Sequence, residues 1–218
     1  MTTIAEQANE IKATAASRLP TEVVAVFASE QAALAAAGVP AGAVSVGDTL
    51  APFALPDATG QTQTLEELTA HGPVVIVFYR GGWCPYCNLT LRTYQRDLLP
   101  QLAAHSARLV AISPETPDAS LSTQEKDELA YTVLTDAGAQ LATSLGITFQ
   151  PSEEGLSAQR ALGVDIRTTR ADNDTLLPMP TVLIVDRDHV VRFVDIQPNY
   201  TGRTEVNDIL TALQALRG

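Results

Sequence analysis

Cys84 and Cys87 are the only thiols in the 218 residues, and they stand three positions apart in "FYRGGWCPYCNLTLRTYQ", residues 78–95. An apolar run ends just before them, and residues at helical spacing follow. A thiol at or just before a first helical turn meets backbone N–H groups that have no intrahelical partner. Those donors and the positive end of the helix dipole favour the thiolate. Cys-x-x-Cys pairs in this position commonly show thiol pKa values well below the free value of about 8.5. Cys87, one turn further in, is close enough to Cys84 to form a small intramolecular disulfide. The pair therefore reads as a redox couple. Zinc would need four ligands, and His71, His105 and His189 have no ligand spacing around the thiols. Neither a metal nor a cofactor is expected. The structural alternative is a pair of inert buried thiols, because cysteine also serves as a small apolar residue.

Composition sets the surroundings of this chemistry. A net charge of −11 argues against a nucleic-acid partner and against an anionic membrane surface. The first twenty residues lack a basic start followed by an apolar core, so no secretory signal is expected, and no stretch approaches the roughly 18 apolar residues of a membrane span. A cytoplasmic location is the expectation. There a standing structural disulfide is disfavoured, and a close thiol pair points to redox or metal work.

The elements that must position the pair are legible in outline. Residues 1–38 are Ala-rich with helical patterning, Thr21 is a candidate cap and Gly38 a stop, and they read as an N-terminal helical extension to a domain over 39–218. Residues 39–61 read as loop with a short hairpin, and 65–70 as a brief helix. "VVIVFY" (74–79) is a continuous β-branched and aromatic run, as expected of a strand buried on both faces. A helix over 84–105, bent at Pro100, leads to a second buried strand, "RLVAIS" (108–113). Such a βαβ unit makes the two strands parallel. A helix over 120–129, a strand over 131–136 and a helix over 139–146 follow. Residues 150–177 are polar and read as an insertion lying over the surface. A hairpin over 181–196 and an amphipathic helix over 204–217 close the chain. The whole is an α/β sandwich.

Strand, turn, "WCPYC", helix, and a later "MPT" before a strand together resemble the thioredoxin fold. The resemblance implies a three-layer α/β/α sandwich, with Pro180 in a cis peptide bond packed beside the dithiol. "VGDTLAPFALPDATGQTQTLEEL" (46–68) and "VLTDAGAQLATSLGI" (133–147) are similar to segments of the peroxiredoxins, the alkyl hydroperoxide reductase and thiol-specific antioxidant family. The likeness covers about 46–200. The peroxiredoxin pattern Pro-x-x-x-Thr-x-x-Cys places its proline on Arg80, its threonine on Cys84 and its reactive cysteine on Cys87. The family's later active-site arginine falls on Pro180. A dithiol thus replaces the Thr/Cys pair, and a thioredoxin-type proline replaces the arginine.

The resemblance implies a thiol-dependent reduction of hydroperoxides. Cys87 would attack the peroxide and Cys84 would resolve the sulfenic acid to a disulfide, which an external thiol system of the thioredoxin or glutathione kind would reduce. Arg80, the nearby cation on the same segment, would stabilise developing charge; its alternative is a solvated or salt-bridged surface residue. In a second reading Cys84 attacks a substrate disulfide and Cys87 resolves the mixed disulfide, with Trp83 and Pro180 shaping a docking surface. In a third, the domain is a redox-sensing or binding module with low turnover. Pro85 and Tyr86 sit between the cysteines, and Tyr86 is either a hydrogen-bond donor to the reacting group or a structural tyrosine. Arg92 and Arg96 share one helix face, Asp136 is a candidate cap, and a homodimer is the expected assembly.

Overall fold

The computed structural model describes residues 2–216. Two helices open it, α1 (Ile4–Arg18) and α2 (Thr21–Ala37). Thr3 and Glu6 form a reciprocal capping box at the start of α1. Pro20 ends the first helical run and stands in the cap position of α2, its carbonyl accepting from the N–H groups of Val23 and Val24. Thr21 is therefore the first helical residue rather than the cap. Gly38, at φ 70°, closes α2 as its composition predicts.

A hairpin of β1 (Ala54–Pro56) and β2 (Thr62–Thr64) leads into α3 (Leu65–Thr69) and then β3 (Val74–Phe78). After β3 come α4 (Pro85–Thr93), a π-turn over Tyr94–Leu98, α5 (Leu99–Leu102) and β4 (Arg108–Ser113). The expected bend at Pro100 is realised one turn earlier as this π-turn. Proline has no N–H to return to residue 96, and the Leu99 N–H reaches back five residues to the Tyr94 carbonyl instead.

The second half runs α6 (Pro117–Lys126), β5 (Thr132–Thr135), α7 (Gln140–Ser144), β6 (Thr148–Phe149), α8 (Glu153–Ala161), β7 (Leu177–Pro178), β8 (Thr181–Val185), β9 (Val191–Ile196) and α9 (Val206–Ala215). Arg217, at the end of the expected last helix, lies outside the described residues.

Five strands form the central sheet in the order β5-β4-β3-β8-β9, with β3, β4 and β5 parallel, β8 antiparallel to β3, and β9 antiparallel to β8. The run at 74–78 is apolar without alternation because both faces are covered. Val75 and Val77 pack with Leu91, Tyr94, Leu98 and Ile209 on one side, while Val74, Ile76 and Phe78 pack with Leu65, Leu68, Ala142 and Ile147 on the other. Fully burying such a side chain contributes about 1.5–3 kcal/mol. This is a thioredoxin-like three-layer sandwich. Among the described residues no helix is long and apolar enough to cross a membrane.

Two expectations are corrected. Residues 150–177 are not a surface insertion. They hold α8 and a 3-10 turn over Ile166–Thr169, and Leu156, Ile166 and Leu177 join Phe149, Met179 and Tyr200 in a third apolar cluster. The polar composition hides few but fully committed apolar residues. The Met179–Pro180 bond is trans, and no cis bond occurs among the described residues. The chain runs straight from β7 into β8: the Met179 N–H bonds the Ile147 carbonyl at 2.7 Å, and the Pro180 carbonyl accepts from the Gln197 N–H at 2.9 Å.

Asp136 does cap α7, and it does so from the interior. It is buried, and its carboxylate accepts from the N–H groups of Leu141 and Ala142, both at 2.9 Å. Asp136→Ala leaves both donors unpaired in an apolar setting. It should cost about 2 kcal/mol of unfolding free energy, measured by urea titration.

Candidate active site

The C-terminal end of β3 delivers the site. After Phe78 and Tyr79, Arg80 leads into Gly81-Gly82, and both glycines are demanded by close approach. Gly81 sits at φ 152°, and a Cβ there would lie 2.4 Å from Trp83 Nε1 and 2.9 Å from Glu115 Oε1. A Cβ on Gly82 would lie 2.0 Å from the Thr123 hydroxyl. The turn ends at Cys84, the N-cap residue of α4, with Pro85 in the first helical turn, where its missing N–H costs nothing. Cys87 follows inside that turn, its N–H bonded to the Cys84 carbonyl at 3.0 Å. Both sulfurs are buried and both are free thiols.

Each thiol has its own arginine. Arg80 Nη1 donates to Cys84 Sγ at 3.8 Å, and Arg203 Nη2 donates to Cys87 Sγ at 3.5 Å. Burial alone would push the Cys84 thiol up. Hydrogen bonds from the Cys87 thiol and N–H, with the charges of Arg80 and Arg203, outweigh that and hold Cys84 well below its ordinary value. Burial and the adjacent Cys84 thiolate push Cys87 well above its own. The two shifts run in opposite directions and favour the thiolate on Cys84 over Cys87.

Arg80 is not the solvated residue that its side-chain type would suggest. It is 3% exposed, and its guanidinium lies 3.9 Å from the centroid of the Tyr200 ring and 4.7 Å from that of Trp83. It pairs with no carboxylate among the described residues, and its Nε and Nη2 have no protein partner there. Arg92 and Arg96 turn elsewhere, to Asp127 and Asp97.

A cavity of about 230 Å³ opens onto Cys84, lined also by Arg80, Trp83, Pro85 and Tyr86. Cys87 does not line it. Cys87 faces a small separate void with Pro180 and Arg203, so Pro180 does lie beside the dithiol, though in a trans bond.

Two participants were not legible in sequence. Arg203 belongs to the loop before α9, 116 positions from Cys87. The Tyr94 hydroxyl, donating to the Thr204 carbonyl at 2.7 Å, fixes that loop. Glu115 follows β4 and accepts from the Gly82 N–H at 2.8 Å, clamping the turn before Cys84. Its signal was positional: it stands just past the C-terminal end of a parallel strand, where such sheets build their sites.

Burial pushes the Glu115 carboxyl from an ordinary 4.5 up to about 7, and the Cys84 charge adds to this. The native state therefore holds this proton more tightly than the unfolded chain. The resulting stability is complete below about pH 4.5 and is lost as pH rises through 7. Glu115→Gln keeps an acceptor for Gly82. It should remove a fall of about 3 kcal/mol across that window, read from melting temperature against pH.

A Cys-x-x-Cys pair at the helix start that follows the central strand of this sheet defines a thioredoxin-fold thiol oxidoreductase. Residues 46–194 match the AhpC/TSA family, and the chain belongs to it as a peroxiredoxin-like thiol peroxidase. A Mycobacterium tuberculosis protein provisionally named a peroxiredoxin is 34% identical over 104 residues, covering 48% of this chain and 67% of that one. Peroxiredoxin bcp1 of Schizosaccharomyces pombe is 28% identical, covering 47% and 52%. The crystal structure of peroxidoxin BcpB from Mycobacterium tuberculosis superimposes with a TM-score of 0.62 at 26% identity, over 80% of this chain and 99% of that one.

Proposed function

We propose that Cys84 is the peroxide-reactive thiolate and Cys87 the resolving thiol of a hydroperoxide reductase. The carrying observation is that Cys84 alone of the pair faces the cavity, with the unpartnered N–H groups of Arg80 beside it. The family pattern would put the reactive sulfur on Cys87, but in this chain the threonine of that pattern is itself a cysteine. The low-pKa position at the helix cap is then the better nucleophile.

In the reaction, Cys84 S⁻ attacks the terminal oxygen of ROOH and the O–O bond breaks. The alkoxide takes a proton and leaves as ROH, and Cys84 becomes a sulfenic acid. Arg80 donates to the oxygens as charge builds on them. Cys87 then attacks the sulfenic sulfur, giving up its proton as water departs, and the Cys84–Cys87 disulfide forms. Two electrons and two protons from an external thiol of the thioredoxin or glutathione class restore the dithiol. Burial of both sulfurs supports a small-molecule hydroperoxide over a protein disulfide as the oxidant. On this reading residues 39–218 carry the chemistry in the cytoplasm, and residues 1–38 are an extension that covers it.

A sulfenate trap identifies the attacking atom. Pre-reduced Cys87→Ser, treated with one equivalent of hydrogen peroxide and dimedone, should carry the adduct on Cys84 by peptide mass spectrometry. An adduct found only on Cys87, in the Cys84→Ser protein, would reverse the assignment.

A further inference from the structure

The cavity over Cys84 has walls of one chemistry and ends of another. The walls come from elements outside the strand-turn-helix of the thiols: Ile11 of α1 and Leu19 just after it, Val24 and Phe27 of α2, and Leu162 and Val164 after α8. These elements are tied down. The Glu205 carboxylate accepts from the N–H groups of Ile4 and Ala5 at 3.0 and 2.9 Å, fixing the start of α1. Glu30 of α2 accepts from the Ser152 N–H at 2.9 Å, fixing α2 to the start of α8. At the floor lies buried Arg80, with two nitrogens, Nε and Nη2, unpartnered, and the Gln31 and Gln159 amide oxygens that also lack partners among the described residues. At the solvent edge Lys12 lines the cavity, exposed and in no ion pair among the described residues. Among the described residues no carboxylate lines the cavity.

We propose that this chamber is the binding site for an aliphatic hydroperoxide that carries a carboxylate. Its chain lies along the α1–α2–α8 walls, its carboxylate meets Lys12, and its peroxide meets Arg80 and Cys84. The proposal rests on Cys84 being the reacting thiol. Hydrogen peroxide would gain nothing from the apolar walls. A hydrocarbon chain gains about three- to fourfold in affinity for each methylene removed from water. An exposed lysine adds only a severalfold preference for the acid.

Trp83, the only tryptophan, lines the cavity and reports on it directly. Saturated fatty acids from octanoate to laurate are titrated into Cys84→Ser, which cannot turn over, while Trp83 emission is followed. Affinity should rise about threefold per added methylene. The acid should bind about fivefold tighter than its methyl ester, and Lys12→Glu should abolish that preference. In parallel, pre-reduced wild-type protein is mixed with hydrogen peroxide and with a fatty-acid hydroperoxide.

Chain-length-dependent binding with a faster reaction of the fatty-acid hydroperoxide supports the proposal. Equal rates with both oxidants, and no response of Trp83 to laurate, overturn it and leave the peroxidase reading standing. Laurate binding without consumption of either peroxide overturns that reading instead, and with it the reactive half of the proposal. Acid and ester binding equally in wild-type and Lys12→Glu backgrounds overturns the role given to Lys12.

Discussion

Cys84→Ser should slow the consumption of peroxide by the reduced protein on the order of a thousandfold or more, because the hydroxyl that replaces the thiolate is not ionised near neutral pH. Cys87→Ser should behave differently. Its hydroxyl can still donate to Cys84, and the Arg80 charge is untouched, so the first turnover should fall only severalfold while sustained turnover stops for want of a resolving thiol. The contrast is sharp because the two sulfurs occupy one helical turn yet face different spaces: Cys84 the large cavity and Arg80, Cys87 the small void and Arg203. Rapid-mixing measurements with each pre-reduced variant decide it. A Cys84→Ser protein that still reacts rapidly would place the nucleophile at Cys87, as the family pattern does.

Arg80→Met should lower kcat/KM for peroxide on the order of a hundredfold, the usual effect of removing one preorganised donor from a developing oxyanion. It should also raise the Cys84 pKa, since the Arg80 charge is one of the forces holding that thiol down. Arg80→Lys separates the two effects. An ammonium keeps the charge but cannot lie flat between the Tyr200 and Trp83 rings or offer a planar fork. It should restore much of the low thiol pKa and little of the rate. Thiolate absorbance against pH, with kcat/KM for the same proteins, reads both. If lysine restored the rate fully, Arg80 would be acting as a charge alone.

What could be read from sequence follows the range of each signal. The dithiol, the strand before it and the helix after it lie within thirty residues, and local patterning suffices for them. Arg80 was identifiable by proximity, but its burial was not: the aromatic faces that hold it come from Trp83, close in sequence, and from Tyr200 and Phe149, far away. Arg203 reaches the site only through tertiary folding, and nothing in its local sequence marks it; Glu115 is marked only by its place just past the end of β4. Residues 150–177 misled because polar and glycine residues dominate them, while three apolar side chains decide their burial. Pro180 sits where the thioredoxin likeness puts it, yet its peptide bond follows the extended path set by β6, β7 and β8.

Buried Arg80 and half-buried Arg203 also bear on the reduction potential. In the dithiol state one thiolate answers two guanidinium groups that have no carboxylate partner among the described residues. Closing the disulfide removes that anion and leaves both cations facing neutral sulfur, Arg80 in a buried setting and Arg203 in a half-buried one, which raises the free energy of the oxidised form. Stabilising the reduced form of a dithiol makes its couple more oxidising. The same charges that hold the Cys84 pKa down therefore also favour return of a Cys84–Cys87 disulfide to the dithiol, so on the proposed cycle its oxidising equivalents pass readily to the next thiol in line.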